Sequence, residues 1–220
     1  MKRILLSVFG IFIFSILQAQ PNVELSFTAG PSLNWLRSDN RDIEKESALL
    51  GYDFGVNIDY GISQNERYFI SSGIFITNTG GQLNFQVPNQ FLFAGEYLQP
   101  STKIKYFLRY LEVPALIKMK TSQFHRTSYW GQFGLSGMIN IGARGTSNDR
   151  TLEKTNINSE VNMFNLGLNV GLGFEYDLGG NNAFTAGLVF KNGFLDVTSN
   201  SEINDHAIIN SLMLKLGIVF

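Results

Sequence analysis

Few segments of this 220-residue chain combine residue types that could form a catalytic or metal-binding site. Cysteine is absent, which excludes disulfides, thiolate metal sites and cysteine nucleophiles. The two histidines, His125 and His206, fall in a short turn and in a long polar loop. Ser201, Glu202 and Asp205 precede His206 in that loop, so the residue types of a hydrolase triad are all present. Triads are defined by geometry rather than by local order, and such residues are ordinary in a solvated loop, so we predict no catalytic residue.

Two other segments resemble binding motifs only in part. The segment Ser38–Glu46 is acidic, but Arg41 and Ile43 stand where a calcium loop needs oxygen ligands, which favours a solvated loop. The segment Gly171–Gly173 lacks the third glycine and the following helix of a dinucleotide-binding fingerprint. A net charge of −1 gives no electrostatic reason to expect nucleic acid as a partner. We therefore predict a protein that is not an enzyme and has no metal, cofactor or nucleic-acid partner.

What the chain does carry is a repeated alternation of apolar and polar residues. From Phe164 to Leu178 every even position is apolar and every odd position is polar or glycine. A period of two indicates a β-strand, because successive side chains of a strand point to opposite faces. The same pattern predicts eight strands in all, at Val23–Trp35, Leu50–Ile62, Tyr68–Asn78, Phe107–Met119, Tyr129–Ala143, Phe164–Leu178, Phe184–Phe194 and Ile208–Phe220.

The lengths of these strands and of their connections indicate a transmembrane barrel. Each strand has about 11–15 residues, whereas strands average about 5–6 residues in globular proteins and need about 9–11 to cross a bilayer. Short and long connections alternate, and both chain ends fall on the short side. Aromatic residues concentrate at the strand ends, as they do at a membrane interface. This arrangement is typical of an outer-membrane barrel with long extracellular loops.

The composition of the polar face distinguishes a membrane barrel from a soluble one. A soluble lipocalin-like barrel is apolar inside, whereas an outer-membrane barrel is apolar outside. The polar face here is rich in Gly, Asn and Ser with few charges, which suits a narrow lumen better than a solvated surface. We therefore predict an all-β fold, an eight-stranded antiparallel up-and-down transmembrane β-barrel. Its polar face holds Asp53, Asp59, Glu112, Lys118, Arg144, Glu175, Asp177, Lys191 and Lys215.

Proline and glycine within the strands have their own implications. Pro114 has no N–H to donate to a ladder and a closed barrel has no edge, so we predict a bulge near Val113–Ala115. The strand glycines, including Gly171 and Gly173, are predicted to relieve crowding inside the barrel.

The N-terminus predicts a secretory signal peptide at residues 1–19, followed by a barrel domain at 20–220. Lys2 and Arg3 precede an apolar run from Ile4 to Leu17, and Ala19 offers a small residue for cleavage. A single transmembrane anchor is the alternative, but this run is short for a bilayer about 30 Å thick. We expect a mature chain beginning near Gln20.

The segment Tyr110–Lys118, with the order Tyr-Leu-Glu-Val-Pro-Ala-Leu-Ile-Lys, resembles a segment of the PorT-like outer-membrane β-barrel family. That family shares the signal peptide, the overall length and a final strand that ends in an aromatic residue, here Phe220. The terminal strand is also similar to the signal that the barrel-assembly machinery recognises. The resemblance implies an outer-membrane location, no catalytic residues and, from the family's named member, a role in protein secretion and gliding.

The predicted barrel restricts the possible functions. An eight-stranded barrel has a lumen that side chains fill, which argues against a diffusion pore. We expect a monomer embedded in outer-membrane lipid that contacts protein partners through its long extracellular loops, above all Gly80–Lys105. That loop is rich in apolar residues, which predicts packing over the barrel mouth or docking to a partner. Three hypotheses follow: an accessory component of a secretion or gliding apparatus, a structural envelope barrel, and a barrel enzyme acting on lipid or peptide.

Overall fold

The computed structural model describes residues 23–38, 40, 43–63, 65, 67–180, 182–200 and 206–220. The predicted signal peptide lies outside these residues. Within them, eight long strands form the barrel, and they confirm the eight strands predicted from the alternation. They are β1 Val23–Ser38, β2 Leu49–Gly61, β3 Tyr68–Phe85, β4 Thr102–Lys120, β5 Thr127–Ser147, β6 Phe164–Gly179, β7 Asn182–Gly193 and β8 Ala207–Val219.

The barrel is antiparallel, and each strand pairs with its neighbours in the chain. Pairing of β8 with β1 closes it, in a ladder that runs from Ser26 opposite Val219 to Ser38 opposite Ala207. Closure leaves no sheet edge among the eight strands, so every backbone group at membrane depth can find a partner within the wall. Among the described residues there is no helix of the length and apolar character needed to span a bilayer.

The apolar face of the wall points outward, as predicted. Leu172 and Ile74 are 67% and 61% exposed, whereas the carboxylates Asp59 and Glu112 in the lumen are each 1% exposed. This is the reverse of a soluble barrel, because lipid replaces water as the medium around the wall.

Pro114 does not produce the predicted bulge, and that prediction is wrong. It faces Ser136 of β5 in a register that is unchanged on either side of it, and the register with β3 is also unchanged. The missing N–H leaves a gap in the ladder without adding a residue. The Pro114 carbonyl still accepts a hydrogen bond from Ser72 Oγ at 2.8 Å.

The irregularity of this region lies in β5 instead. Arg109 of β4 faces Gly142, but the next residue, Tyr110, faces Asn140, so Ile141 is an extra residue without a partner. The Asn140 side chain accepts a hydrogen bond from the Gly142 N–H at 3.0 Å and supports this bulge. An extra residue in a strand reverses which positions face inward beyond it.

That reversal corrects two sequence predictions about β5. Ala143 was predicted on the lipid side but is 2% exposed and faces the lumen. Arg144 was predicted on the lumen side but is exposed and faces outward. The alternation in the sequence continues smoothly through Ile141, so it contains no sign of the extra residue.

Three adjacent strands extend beyond the others on the side of the long loops. The strands β3, β4 and β5 have 18, 19 and 21 residues, against 12 and 13 for β7 and β8. The short strands Ile43–Lys45 and Thr155–Asn156 pair with β3 and β5 and widen this extracellular sheet. A small hairpin, Phe91–Phe93 with Glu96–Leu98, and a 3₁₀ turn at Asn158–Glu160 complete the loops.

Candidate functional site

An apolar cluster closes the extracellular end of the barrel. The hairpin residue Phe93 is fully buried, with its ring centroid 6.3 Å from that of Phe85 and 6.1 Å, edge-on, from that of Tyr106. This arrangement confirms that the apolar loop packs over the barrel mouth, although Tyr97, in the second strand of the hairpin, remains 67% exposed. The cluster, called the cap below, consists of Leu36, Ile43, Leu83, Phe85, Phe91, Phe93, Leu98, Ile104, Tyr106, Leu108, Tyr110, Met138, Ala143, Leu152, Ile157, Val161, Val197, Ala207 and Ile209.

Polar contacts from two other loops hold the hairpin on the cap. The Glu160 carboxylate accepts a hydrogen bond from the Ala94 N–H at 2.9 Å and another from Asn200 Nδ2 at 2.7 Å. The same amide nitrogen donates to the Leu92 carbonyl at 3.0 Å. Three loops are thereby joined through one carboxylate. We infer that the extracellular extension, which consists of the long ends of β3, β4 and β5 and the loops packed on them, is a rigid unit.

A buried ion-pair cluster lies in the middle of the lumen below the cap. Lys191 Nζ is 2.8 Å from Asp53 Oδ2 and 2.6 Å from Glu112 Oε2. Thr77 Oγ1 donates a further hydrogen bond to Glu112 Oε2 at 2.7 Å. Both carboxylates are almost completely shielded from solvent, so the lysine provides most of the charge compensation that ionised groups need there.

A second ion-pair cluster occupies the lumen near the periplasmic end. Lys118 Nζ is 2.6 Å from Asp59 Oδ2 and 2.8 Å from Glu175 Oε1. Lys120 bonds to the other oxygen of Glu175 at 2.7 Å and also pairs with Glu24. Beyond this cluster the lumen opens into a polar cavity of about 560 Å³ at the periplasmic mouth, where Asp177 lies.

Trp130 fills the lumen beside the periplasmic cluster, with Lys118 Nζ 5.8 Å from the centre of its ring. Its Nε1 donates to Thr185 Oγ1 at 3.1 Å, and Lys215 Nζ lies 5.3 Å from the centre of its ring. A Cβ atom added to Gly173 or Gly187 would lie 2.5 Å from the indole carbon Cζ2. These two glycines therefore make room for the indole, so the prediction that glycines relieve crowding is confirmed at Gly173, although Gly137 and Gly142 stand in open space.

The lumen is consequently blocked along its length by the cap, the two ion-pair clusters and Trp130. Two cavities among the interior residues between them measure only about 30 and 20 Å³. Each holds about one water molecule, so the described side chains leave little room for water in this part of the lumen.

The residues first considered for chemistry are not assembled into a reactive site. His125 is exposed in a tight turn with φ of 57° and its ring against Phe124. His206 is exposed, and its backbone carbonyl accepts a hydrogen bond from Ser38 Oγ. Ser201, Glu202 and Asp205, like Arg41 in the acidic loop, lie outside the described residues. Among the residues that are described, no group of three or more acidic or histidine side chains could hold a metal ion.

The alternation correctly predicted that Asp53, Asp59, Glu112, Lys118, Glu175 and Lys191 face the lumen, but it did not show how they pair. Asp53 and Lys191 are 138 positions apart, and their contact depends on the closure of the barrel. The bulge at Ile141 was also missed, because only its register against β4 reveals it.

A match to a protein family agrees with this architecture. The family model described as "Outer membrane protein beta-barrel domain" matches residues 18–204. Similar solved structures include Neisserial surface protein A, with 14% identity, 89% of this chain and 95% of that chain covered, and a TM-score of 0.45. The Ail protein of Yersinia pestis shares 14% identity, with 90% and 98% covered and a TM-score of 0.43. OprG of Pseudomonas aeruginosa shares 12%, with 90% and 95% covered and a TM-score of 0.40. No curated protein matches the sequence. The family match spans most of the chain, so the protein belongs to the outer-membrane β-barrel domain family and is a protein of the outer membrane.

Proposed function

We propose that this protein is a monomeric, non-enzymatic binding barrel that presents its extracellular extension to a partner protein. The observation that carries the proposal is a blocked lumen combined with a tall wall whose loops are joined by packing and hydrogen bonds. A blocked lumen argues against transport, whereas a rigid surface lowers the entropy that a partner must overcome on binding. The PorT-like segment around Pro114 suggests that the partner belongs to a secretion or gliding apparatus.

The proposal is tested first by deleting the gene and measuring protein export and surface spreading. Both should be reduced, and both should recover when the wild-type gene is restored. Normal export together with normal spreading would refute the assignment to such an apparatus.

The contact surface is tested by placing a photo-crosslinking amino acid at Tyr97, an exposed residue in the second strand of the hairpin. Phe124 is the matched control, because it is 72% exposed on the opposite side of the membrane. We expect a crosslinked protein adduct from position 97 and none from position 124. Equal adducts at the two positions would show that the extracellular extension has no special role.

A second candidate function, a structural envelope barrel, is favoured by the two ion-pair clusters that connect distant strands across the lumen. It predicts that deletion increases sensitivity to detergent while export and spreading stay normal.

We also propose that residues 1–19 are removed on export. The mass of the mature protein tests this directly, and a mass that includes these residues would contradict it.

A further inference from the structure

The bulge at Ile141 places two arginines side by side on the outside of the barrel. Phe107 faces Arg144 and Arg109 faces Gly142, so the two arginines occupy diagonal positions on the same outward face. Side chains in such positions have Cβ atoms about 7–8 Å apart, within reach of one small anion. Without the extra residue in β5, Arg144 would point into the lumen.

These arginines line a concavity of about 330 Å³ on the outer wall. Arg109 Nε donates to Asn78 Oδ1 at 2.9 Å, which orients its guanidinium group. None of the ion pairs among the described residues involves Arg109 or Arg144, and none of the residues that line the concavity is acidic. A Cβ atom on Gly142 would meet nothing within 4 Å, so the space beside the arginines is open.

The height of the concavity corresponds to the outer boundary of the membrane. A strand tilted by about 40° rises about 2.5 Å per residue along the membrane normal. Arg109 precedes Lys120, the periplasmic end of β4, by eleven residues. It therefore lies about 28 Å above that end, whereas the apolar band of such barrels is about 25 Å tall. The arginines are thus level with lipid headgroups and above the acyl chains.

Apolar side chains lie beside the arginines in the same concavity. Leu50, Ile141 and Phe107 also line the concavity and are 83%, 50% and 45% exposed. The combination of two cations at headgroup height with an exposed apolar surface matches a lipid that carries a phosphate.

We propose that Arg109 and Arg144 bind the phosphate of a phosphorylated glycolipid of the outer leaflet, of the lipid A class, with an acyl chain lying along Leu50 and Ile141. Guanidinium groups suit this role because their planar donors match phosphate oxygens in bidentate hydrogen bonds. The site concerns lipid and does not depend on the proposed protein partner.

The test measures binding of diphosphorylated lipid A to the purified full-length protein in mild detergent by native mass spectrometry. The double variant R109Q/R144Q should bind this lipid about a hundredfold more weakly, about tenfold for each arginine. The variant G142L should also lose binding, since its side chain fills the open space while both arginines remain. The matched control R126Q removes an exposed arginine on the periplasmic side and should bind as the wild type does.

Each variant is first checked for the heat-dependent gel shift of a folded barrel. Equal binding of dephosphorylated lipid A by the wild type would overturn the proposal, because the acyl chains alone would then account for binding. Unchanged binding by folded R109Q/R144Q would overturn it as well. Displacement of the lipid by an equal concentration of inorganic phosphate would identify a free-anion site and likewise contradict the lipid assignment.

Discussion

Lys191 should be the residue of the lumen whose charge contributes most to stability. The variant K191M keeps most of the side chain's length and removes its positive charge. Asp53 and Glu112, each with a side chain 1% exposed, would then lie close together without a cation between them. Removing one partner of a buried ion pair costs about 3–5 kcal/mol, because the remaining charge is left without compensation or must take up a proton. We expect the free energy of unfolding to fall by about this amount.

The matched control is K103M in the extracellular sheet. Lys103 pairs with Glu46 at 2.5 Å, but the two side chains are 38% and 32% exposed. Exposed pairs contribute about 0–1 kcal/mol, so this variant should unfold almost as the wild type does. The triple variant D53N/E112Q/K191M removes the whole charged cluster and should recover most of the loss, since neutral groups need no ionic partner.

The assay is reversible urea unfolding in detergent micelles, followed by tryptophan fluorescence. Trp130 lies in the lumen at 3% exposure and reports on the loss of the barrel. A loss below about 1 kcal/mol in K191M, similar to that in K103M, would refute the reasoning. It would mean that water in the lumen screens the two carboxylates despite their burial.

Three further predictions test the barrel, its interior and its cap. The protein should show a heat-modifiable band shift in membrane fractions, and recovery of the native protein from the soluble periplasm would contradict the fold. G173V should prevent folding of most of the protein in a refolding assay, because its side chain collides with the indole of Trp130; G137A, whose added Cβ would meet only one atom, 4.0 Å away, should fold normally. F93A should lower the free energy of unfolding by about 3–5 kcal/mol, because a buried ring is removed, and should make the hairpin sensitive to protease. Y97A should stay resistant, and equal sensitivity of the two variants would refute the role of the cap.

Much of the fold could be predicted because each strand shows its two faces in its own sequence. The alternation at Phe164–Leu178 predicts a strand whatever its neighbours are, and the observed β6 matches it within one residue. The apolar content of the loop around Phe93 favoured either packing over the barrel mouth or docking to a partner, and the structure shows the packing.

The candidate sites required information that a single strand does not contain. The outward direction of Arg144 depends on the bulge at Ile141, and a bulge exists only relative to the register of the neighbouring strand. The bulge predicted at Pro114 was placed in the correct pair of strands, β4 and β5, but at the wrong residues. A closed barrel tolerates the missing N–H of a proline without an extra residue in the strand.

The sequence by itself determined that the chain forms eight membrane-length strands with an apolar outer face and a polar lumen. Strand periodicity and connection length are local properties, and they suffice for that conclusion. Only the tertiary structure decided that Lys191 joins Asp53 to Glu112, that the cap and Trp130 fill the lumen, and that Arg109 and Arg144 lie at diagonal positions on one outward face. These features bring together residues far apart in the chain, so they arise from strand register and barrel closure.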